Sequence, residues 1–101
     1  MTGEGYLRAE VPLKFAFDSN RSVVKPPLAK VLDYLVPSVK APGMQARIAA
    51  PSDISNPSAT LAQERTFSMR DYLVGKGVHP TRITTGGMPR AEVVEVVVGK
   101  L

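Results

Sequence analysis

The chain has 101 residues, of which 44% are hydrophobic, and it contains no cysteine. This length suits one small domain, and the lack of thiols excludes a disulfide framework and any zinc site built on cysteine. Thirteen basic against nine acidic residues give a net charge of +4, but the basic residues are scattered and the aromatic content is 6%, which argues against a nucleic-acid surface.

The first half of the chain predicts a strand, a helix and a second strand. Residues 1–10 are predicted to form a flexible lead-in, and the apolar residues of 11–17 then alternate as in a strand. Pro26 and Pro27 suit the first turn of a helix, in which apolar residues recur at spacings of three and four. Pro37 and the loop at residues 41–43 are predicted to end this helix. Residues 44–48 alternate again and predict the second strand.

The second half predicts a longer helix and two more strands. Asn56 is a plausible N-cap, Pro57 suits the first helical position, and Gly75 and Gly77 mark the far end. Residues 82–85 predict a third strand, residues 86–89 a turn, and the valine-rich residues 91–98 a strand inside the sheet. Residues 11–101 therefore predict one α+β domain, a two-layer β-α-β-α-β-β sandwich that closes with a hairpin. Its two helices pack on one face of a mixed four-stranded sheet.

The second helix carries an arginine within its apolar stripe. Projected at about 100° per residue, Leu61, Met69 and Leu73 fall within one arc of about 140°, and Arg65 falls inside that arc. A guanidinium is almost never fully buried without a partner. Arg65 therefore either reaches water or a structural partner such as Asp53, or supplies a cation to a site.

The residues offer no case for catalysis, a metal or a cofactor. His79, the single histidine, is predicted on a surface loop without a nucleophile nearby. Glu92 and Glu95 are three apart on a predicted strand, so they point to opposite faces and cannot pair as acid and base. Gly86 and Gly87 precede a strand rather than a helix, which removes the amides of a phosphate-binding loop. We expect a protein that is not an enzyme.

Five short motifs follow one another between residues 13 and 98. They are F-A-F-D-S at 15–19, V-K-P at 24–26, L-A-x-x-R-T-x-x-M-x-x-Y-L at 61–73, G-V-x-P-x-R-I-x-T-x-G-M at 77–88 and V-E-V-V at 94–97. Together they resemble the C-terminal, peptidoglycan-associating domain of the outer-membrane protein A (OmpA-like) family. The helix motif and its G-V-x-P-x-R-I continuation are the most specific part, and the chain is identified as a degenerate member.

The resemblance implies a ligand site. Members of the family bind the diaminopimelate part of the cell wall through an Asp that follows strand two and the Arg of the helix motif. Arg65 takes the second role by position, and a forked guanidinium suits the carboxylate of a zwitterion. The acid position falls on Ala50 without gaps, or on Asp53 if the loop is shortened. The candidate ligand-binding residues are Arg65 and Asp53.

Two hypotheses about function follow. The loop at 51–57 lacks the glycine of the family motif, the segment at 89–91 is short, and Glu92 and Val93 occupy two arginine positions. These departures favour a docking module in an envelope assembly of pilus or secretion type, with peptidoglycan binding weakened or lost. The alternative is an anchor that recognises diaminopimelate stem peptides through Arg65 and Asp53.

Both hypotheses place the chain in the periplasm, as part of a larger exported or membrane-anchored protein. The partners would be other envelope proteins or the peptidoglycan stem peptide. No apolar run approaches the roughly 20 residues of a membrane span. We therefore expect no direct membrane insertion of this stretch.

Overall fold

A mixed sheet with two long helices on one face makes up the structure, a computed structural model that describes residues 7–86 and 92–100. Residues 87–89 of the turn predicted at 86–89 lie outside the described residues. The described elements are β1 (Leu7–Pro12), α1 (Leu13–Ala16), α2 (Pro26–Lys40), β2 (Met44–Ala49), α3 (Ala59–Gly75), a 3-10 turn (Pro80–Arg82), β3 (Ile83–Thr85) and β4 (Val93–Lys100).

The valine-rich strand β4 lies inside the sheet. The strand order is β1-β4-β2-β3, and β4 pairs antiparallel with both β1 and β2. Val94, Val96 and Val98 are at most 1% exposed, whereas Glu95 and Val97 on the opposite face are only partly buried. The predicted α+β sandwich is confirmed. The predicted closing hairpin is wrong, because β3 pairs in parallel with β2, and β2 separates it from β4.

The first strand begins earlier than predicted. β1 starts at Leu7, so residues 7–10 of the predicted lead-in pair with β4. Residues 13–16, predicted as strand, form the four-residue helix α1 instead. Leu13, Ala16 and Phe17 are buried there. Their spacing of three and four residues fits a helix as well as alternation fits a strand, and the short run could not separate the two patterns.

The two long helices are confirmed, with different ends. α2 continues through Pro37 to Lys40. The N-cap of α3 is Ser58, whose hydroxyl accepts a hydrogen bond of 3.2 Å from the backbone N–H of Leu61. The predicted start at Asn56 and Pro57 is therefore too early. The Asn56 side chain lies in the preceding loop.

One face of α3 packs on the sheet and carries the candidate site. Its buried residues are Leu61, Arg65, Thr66, Met69 and Leu73. Within residues 7–86 and 92–100, no helix is both long enough and apolar enough to cross a membrane.

Candidate functional site

Arg65 lies on the buried face of α3 with an exposed fraction of 0%. Its guanidinium carbon is 5.3 Å from the centroid of the Phe17 ring, a distance at which a cation is attracted to the ring face. The arginine therefore does not reach water past the edge of the helix. A buried guanidinium must find its acceptors inside the protein.

The acceptors for Arg65 come from two loops distant in sequence. Three are backbone carbonyls and one is a carboxylate, so the side chain ties the loop after α1 and the loop after β2 to α3. Its hydrogen bonds run from Nε to Arg21 O (2.8 Å), from Nη1 to Pro51 O (3.0 Å), and from Nη2 to Asp18 O (3.1 Å) and Asp53 Oδ1 (2.9 Å).

Asp53 is the acid that meets Arg65. Its second oxygen, Oδ2, accepts a hydrogen bond of 2.7 Å from the backbone N–H of Asn20, and 11% of its side chain is exposed. Ala50, the position reached without gaps, is buried in the hydrophobic core instead. The structure thus brings Asp53 and Arg65 together. Their role in binding a ligand stays a prediction.

The surroundings of Asp53 favour its charged form. The backbone N–H of Asn20 lowers the pKa of the carboxyl most, and the hydrogen bond and charge of Arg65 lower it further, while burial acts in the opposite direction. Asn20 has a positive φ of 58°, a conformation that asparagine tolerates better than most residues. Its side chain accepts a hydrogen bond of 3.1 Å from Asn56. The loop is therefore built around an ionised Asp53.

A cavity of about 400 Å³ lies beside Asp53 and carries charges of both signs. Lys14 and Glu92 line it together with Asp53, and its apolar lining includes Phe17 and Ile54. Glu92 has a φ of 63°, a strained conformation for this residue type. The lining does not include Arg65. Asp53 is therefore accessible from the cavity, whereas Arg65 is not.

A larger cavity of about 460 Å³ lies between α3 and the ends of β2 and β3. Ala62, Phe67, Pro51 and Thr85 are among its lining residues, none of which is charged. A zwitterionic or charged ligand would find no ionic partner there. The smaller cavity next to Asp53 is thus the better candidate for such a ligand.

Sequence reasoning found both side chains of the ion pair but missed the backbone acceptors. The carbonyls of Asp18, Arg21 and Pro51 have no sequence signal, because every residue carries the same group. His79 is exposed, as predicted. In the described part of the chain, no three His, Asp or Glu side chains are grouped so that they could hold a metal.

No protein-family model matches the chain, and no curated protein matches it either. Solved structures do match. The periplasmic domain of Helicobacter pylori MotB is 13% identical at a TM-score of 0.75, with 100% of this chain and 83% of that chain covered. The cell wall anchor of the T6SS from Pseudomonas aeruginosa is 18% identical at a TM-score of 0.73, with 96% and 83% covered.

The OmpA-like domain of FopA1 from Francisella tularensis is 17% identical at a TM-score of 0.63, with 100% of this chain and 79% of that chain covered. These similarities confirm the resemblance at the level of the fold. The chain has the OmpA-like fold.

Proposed function

We propose that this chain is a non-catalytic docking module of a bacterial cell-envelope assembly, with peptidoglycan binding weakened or lost. The observation that carries this proposal is the burial of Arg65. Its guanidinium is 0% exposed and donates to one carboxylate and three backbone carbonyls of its own chain. An arginine in this state holds loops together.

A ligand carboxylate would have to displace these contacts before Arg65 could bind it. Each hydrogen bond to a charged group contributes about 1.5–3 kcal/mol, and a carbonyl left buried without a donor costs about 1–3 kcal/mol. Asp53 is engaged as well, through Oδ1 with Arg65 and through Oδ2 with the backbone of Asn20. Recognition of a zwitterion by this pair would therefore compete with the packing of two loops.

The solved structures of the same fold support an envelope location. They include a periplasmic domain of MotB and a cell wall anchor of the T6SS. By analogy, we propose a periplasmic chain within a larger exported or membrane-anchored protein of pilus or secretion type, in contact with other envelope proteins.

The second candidate function is a peptidoglycan anchor. It is favoured by the cavity of about 400 Å³, whose lining includes Asp53, Lys14 and Glu92. An ammonium group of a stem peptide could approach Asp53 or Glu92 from this cavity, and a carboxylate could approach Lys14. In such an anchor, Lys14 and not Arg65 would bind the carboxylate of the ligand.

Co-sedimentation with purified peptidoglycan sacculi separates the two functions. The variants are Asp53→Asn, which keeps the size of the side chain, and Glu64→Gln as a matched control on the exposed side of α3. We expect the unmodified chain to remain in the supernatant. Saturable retention that is lost with Asp53→Asn and kept with Glu64→Gln would establish the anchor, provided that circular dichroism shows both variants folded.

The docking role is tested by cross-linking the full-length protein in its own envelope. We expect a stoichiometric protein partner that persists after the wall has been digested with a muramidase. Loss of every cross-linked partner upon digestion would contradict docking.

A further inference from the structure

A small basic cleft lies where α2 and α3 both end, away from Arg65. It measures about 150 Å³, and Lys40, His79 and Arg82 line it together with the buried Val39 and Val78. None of its lining residues is acidic. Sites for drug-sized molecules usually measure about 300–1,000 Å³, so this cleft suits one small group.

His79 presents a hydrogen-bond donor that its own turn does not use. The residue caps the 3-10 turn, where its Nδ1 accepts a hydrogen bond of 3.2 Å from the backbone N–H of Thr81. The Thr81 hydroxyl lies 2.8 Å from the same Nδ1. Both Thr81 groups donate to Nδ1 when the proton of the neutral ring is on Nε2, and in this tautomer Nε2 is a donor.

Arg82 is anchored by one end of its guanidinium. Nη1 donates to the carbonyls of Ala41 (3.1 Å) and Met44 (3.0 Å), which fixes the planar group at the end of α2. Within residues 7–86 and 92–100, its Nε and Nη2 donors have no hydrogen-bond partner. The group is thus held in place with unused donors.

Lys40 supplies the second full positive charge. Its Nζ lies against Gly77, 3.0 Å from the point where a Cβ would stand, and Gly77 also has a φ of 97° that favours glycine. In the described part of the chain, its ammonium forms no hydrogen bond or ion pair. Glycine at this position leaves room for the ammonium beside the cleft.

Cations near helix C-termini stabilise the helices by themselves. Lys40, in the last turn of α2, and Arg82, whose Nη1 donates to the carbonyl of the C-cap Ala41, both have this role. The second acceptor of Nη1, the carbonyl of Met44, belongs to β2. The helix dipole does not explain the free donor at Nε2 of His79, because the neutral imidazole carries no charge. Nor does it require Lys40 and Arg82 to line the same cleft.

We propose that this basic cleft binds a single phosphate group, either as free phosphate or as the phosphomonoester headgroup of an anionic lipid. The two positive charges of Lys40 and Arg82 match the charge of about −1.5 to −2 on a phosphomonoester at neutral pH. Donors from three side chains can serve its terminal oxygens, and charge-assisted hydrogen bonds are the strong ones. The proposal rests on this cleft alone and not on the role proposed for Asp53 and Arg65.

The first test is an NMR titration of the intact chain with inorganic phosphate, with sodium chloride at equal ionic strength as the reference. We expect saturable shifts of the backbone amides of residues 77–79, 81 and 82. Lys40→Gln and His79→Asn should each weaken binding by roughly tenfold or more, the factor that corresponds to one lost charge-assisted contact. Asparagine can still accept the Thr81 N–H, so the cap is kept.

Lys30→Gln, a change of the same kind on the same helix but outside the cleft, is the matched control. It should leave binding unchanged. Shifts no larger than those in chloride, or an equal loss of binding with Lys30→Gln, would overturn the proposal.

A second experiment uses vesicles of phosphatidylcholine with or without phosphatidic acid. Co-sedimentation only with phosphatidic acid identifies a lipid source, and binding of free phosphate without vesicle binding identifies a soluble one.

Discussion

Replacing Arg65 by leucine tests whether this arginine is part of the scaffold. The change removes four hydrogen bonds and leaves the carbonyls of Asp18, Arg21 and Pro51 without their donor. A carbonyl that loses its donor where water does not reach it costs about 1–3 kcal/mol. Burial of the new leucine side chain stabilises the chain by about 1.5–3 kcal/mol. Water that enters the opened loops forms hydrogen bonds with some of the carbonyls that lost Arg65.

The net loss in free energy of unfolding should be about 3–5 kcal/mol, the range for a buried ion pair that loses one partner. In a domain of this size, this lowers the melting temperature by about 15–30 °C. Urea and thermal unfolding followed by circular dichroism measure the loss. Arg70→Leu on the same helix is the matched control, because 41% of the Arg70 side chain is exposed. Its effect should be about 0.5 kcal/mol or less.

A loss below about 1 kcal/mol for Arg65→Leu would refute the structural role. Removal of the charge from the apolar stripe would then leave the free energy of unfolding nearly unchanged. The buried arginine would have to be explained by a ligand, as in the anchor hypothesis.

Three further predictions concern the acid partner, the sheet and the helix cap. The pKa of Asp53 is lowered by the backbone N–H of Asn20 and then by Arg65. The contribution of Asp53 to the free energy of unfolding should therefore be present at neutral pH and disappear as the pH falls below about 4. Urea midpoints measured against pH should show this loss of stability in the unmodified chain but not in Asp53→Asn. Val96→Glu should lower the free energy of unfolding by more than about 3 kcal/mol, because it places a charge in the core. Val97→Glu should change it by less than about 1 kcal/mol, because Val97 lies between Arg8 and Arg47 on the open face of the sheet. Equal losses for both variants would contradict a sheet that is covered on one face. In chemical unfolding, Ser58→Ala should lower the free energy of unfolding by about 1 kcal/mol. Ser58→Asp should not lower it, since aspartate can accept the same backbone N–H. Equal losses for both variants would show that the hydroxyl does not cap the helix.

Features that depend on local periodicity could be predicted from the amino-acid sequence alone. The apolar stripe of α3 runs from Leu61 to Leu73 in a helix of 17 residues, long enough to separate a helix from a strand. The valine run predicted a strand inside the sheet, and β4 is an inner strand. The sequence also singled out Arg65, since a guanidinium in an apolar stripe is visible without coordinates.

The tertiary structure alone shows that Arg65 is buried and hydrogen-bonded to two loops of its own chain. Its carbonyl partners at Pro51, Arg21 and Asp18 lie 14, 44 and 47 residues away. A backbone carbonyl is the same group at every position, so no residue type marks it as an acceptor. The position of β3 beside β2, and not beside β4, depends likewise on pairing between distant segments. Loop closure and strand pairing are properties of the whole chain, and local patterns do not encode them.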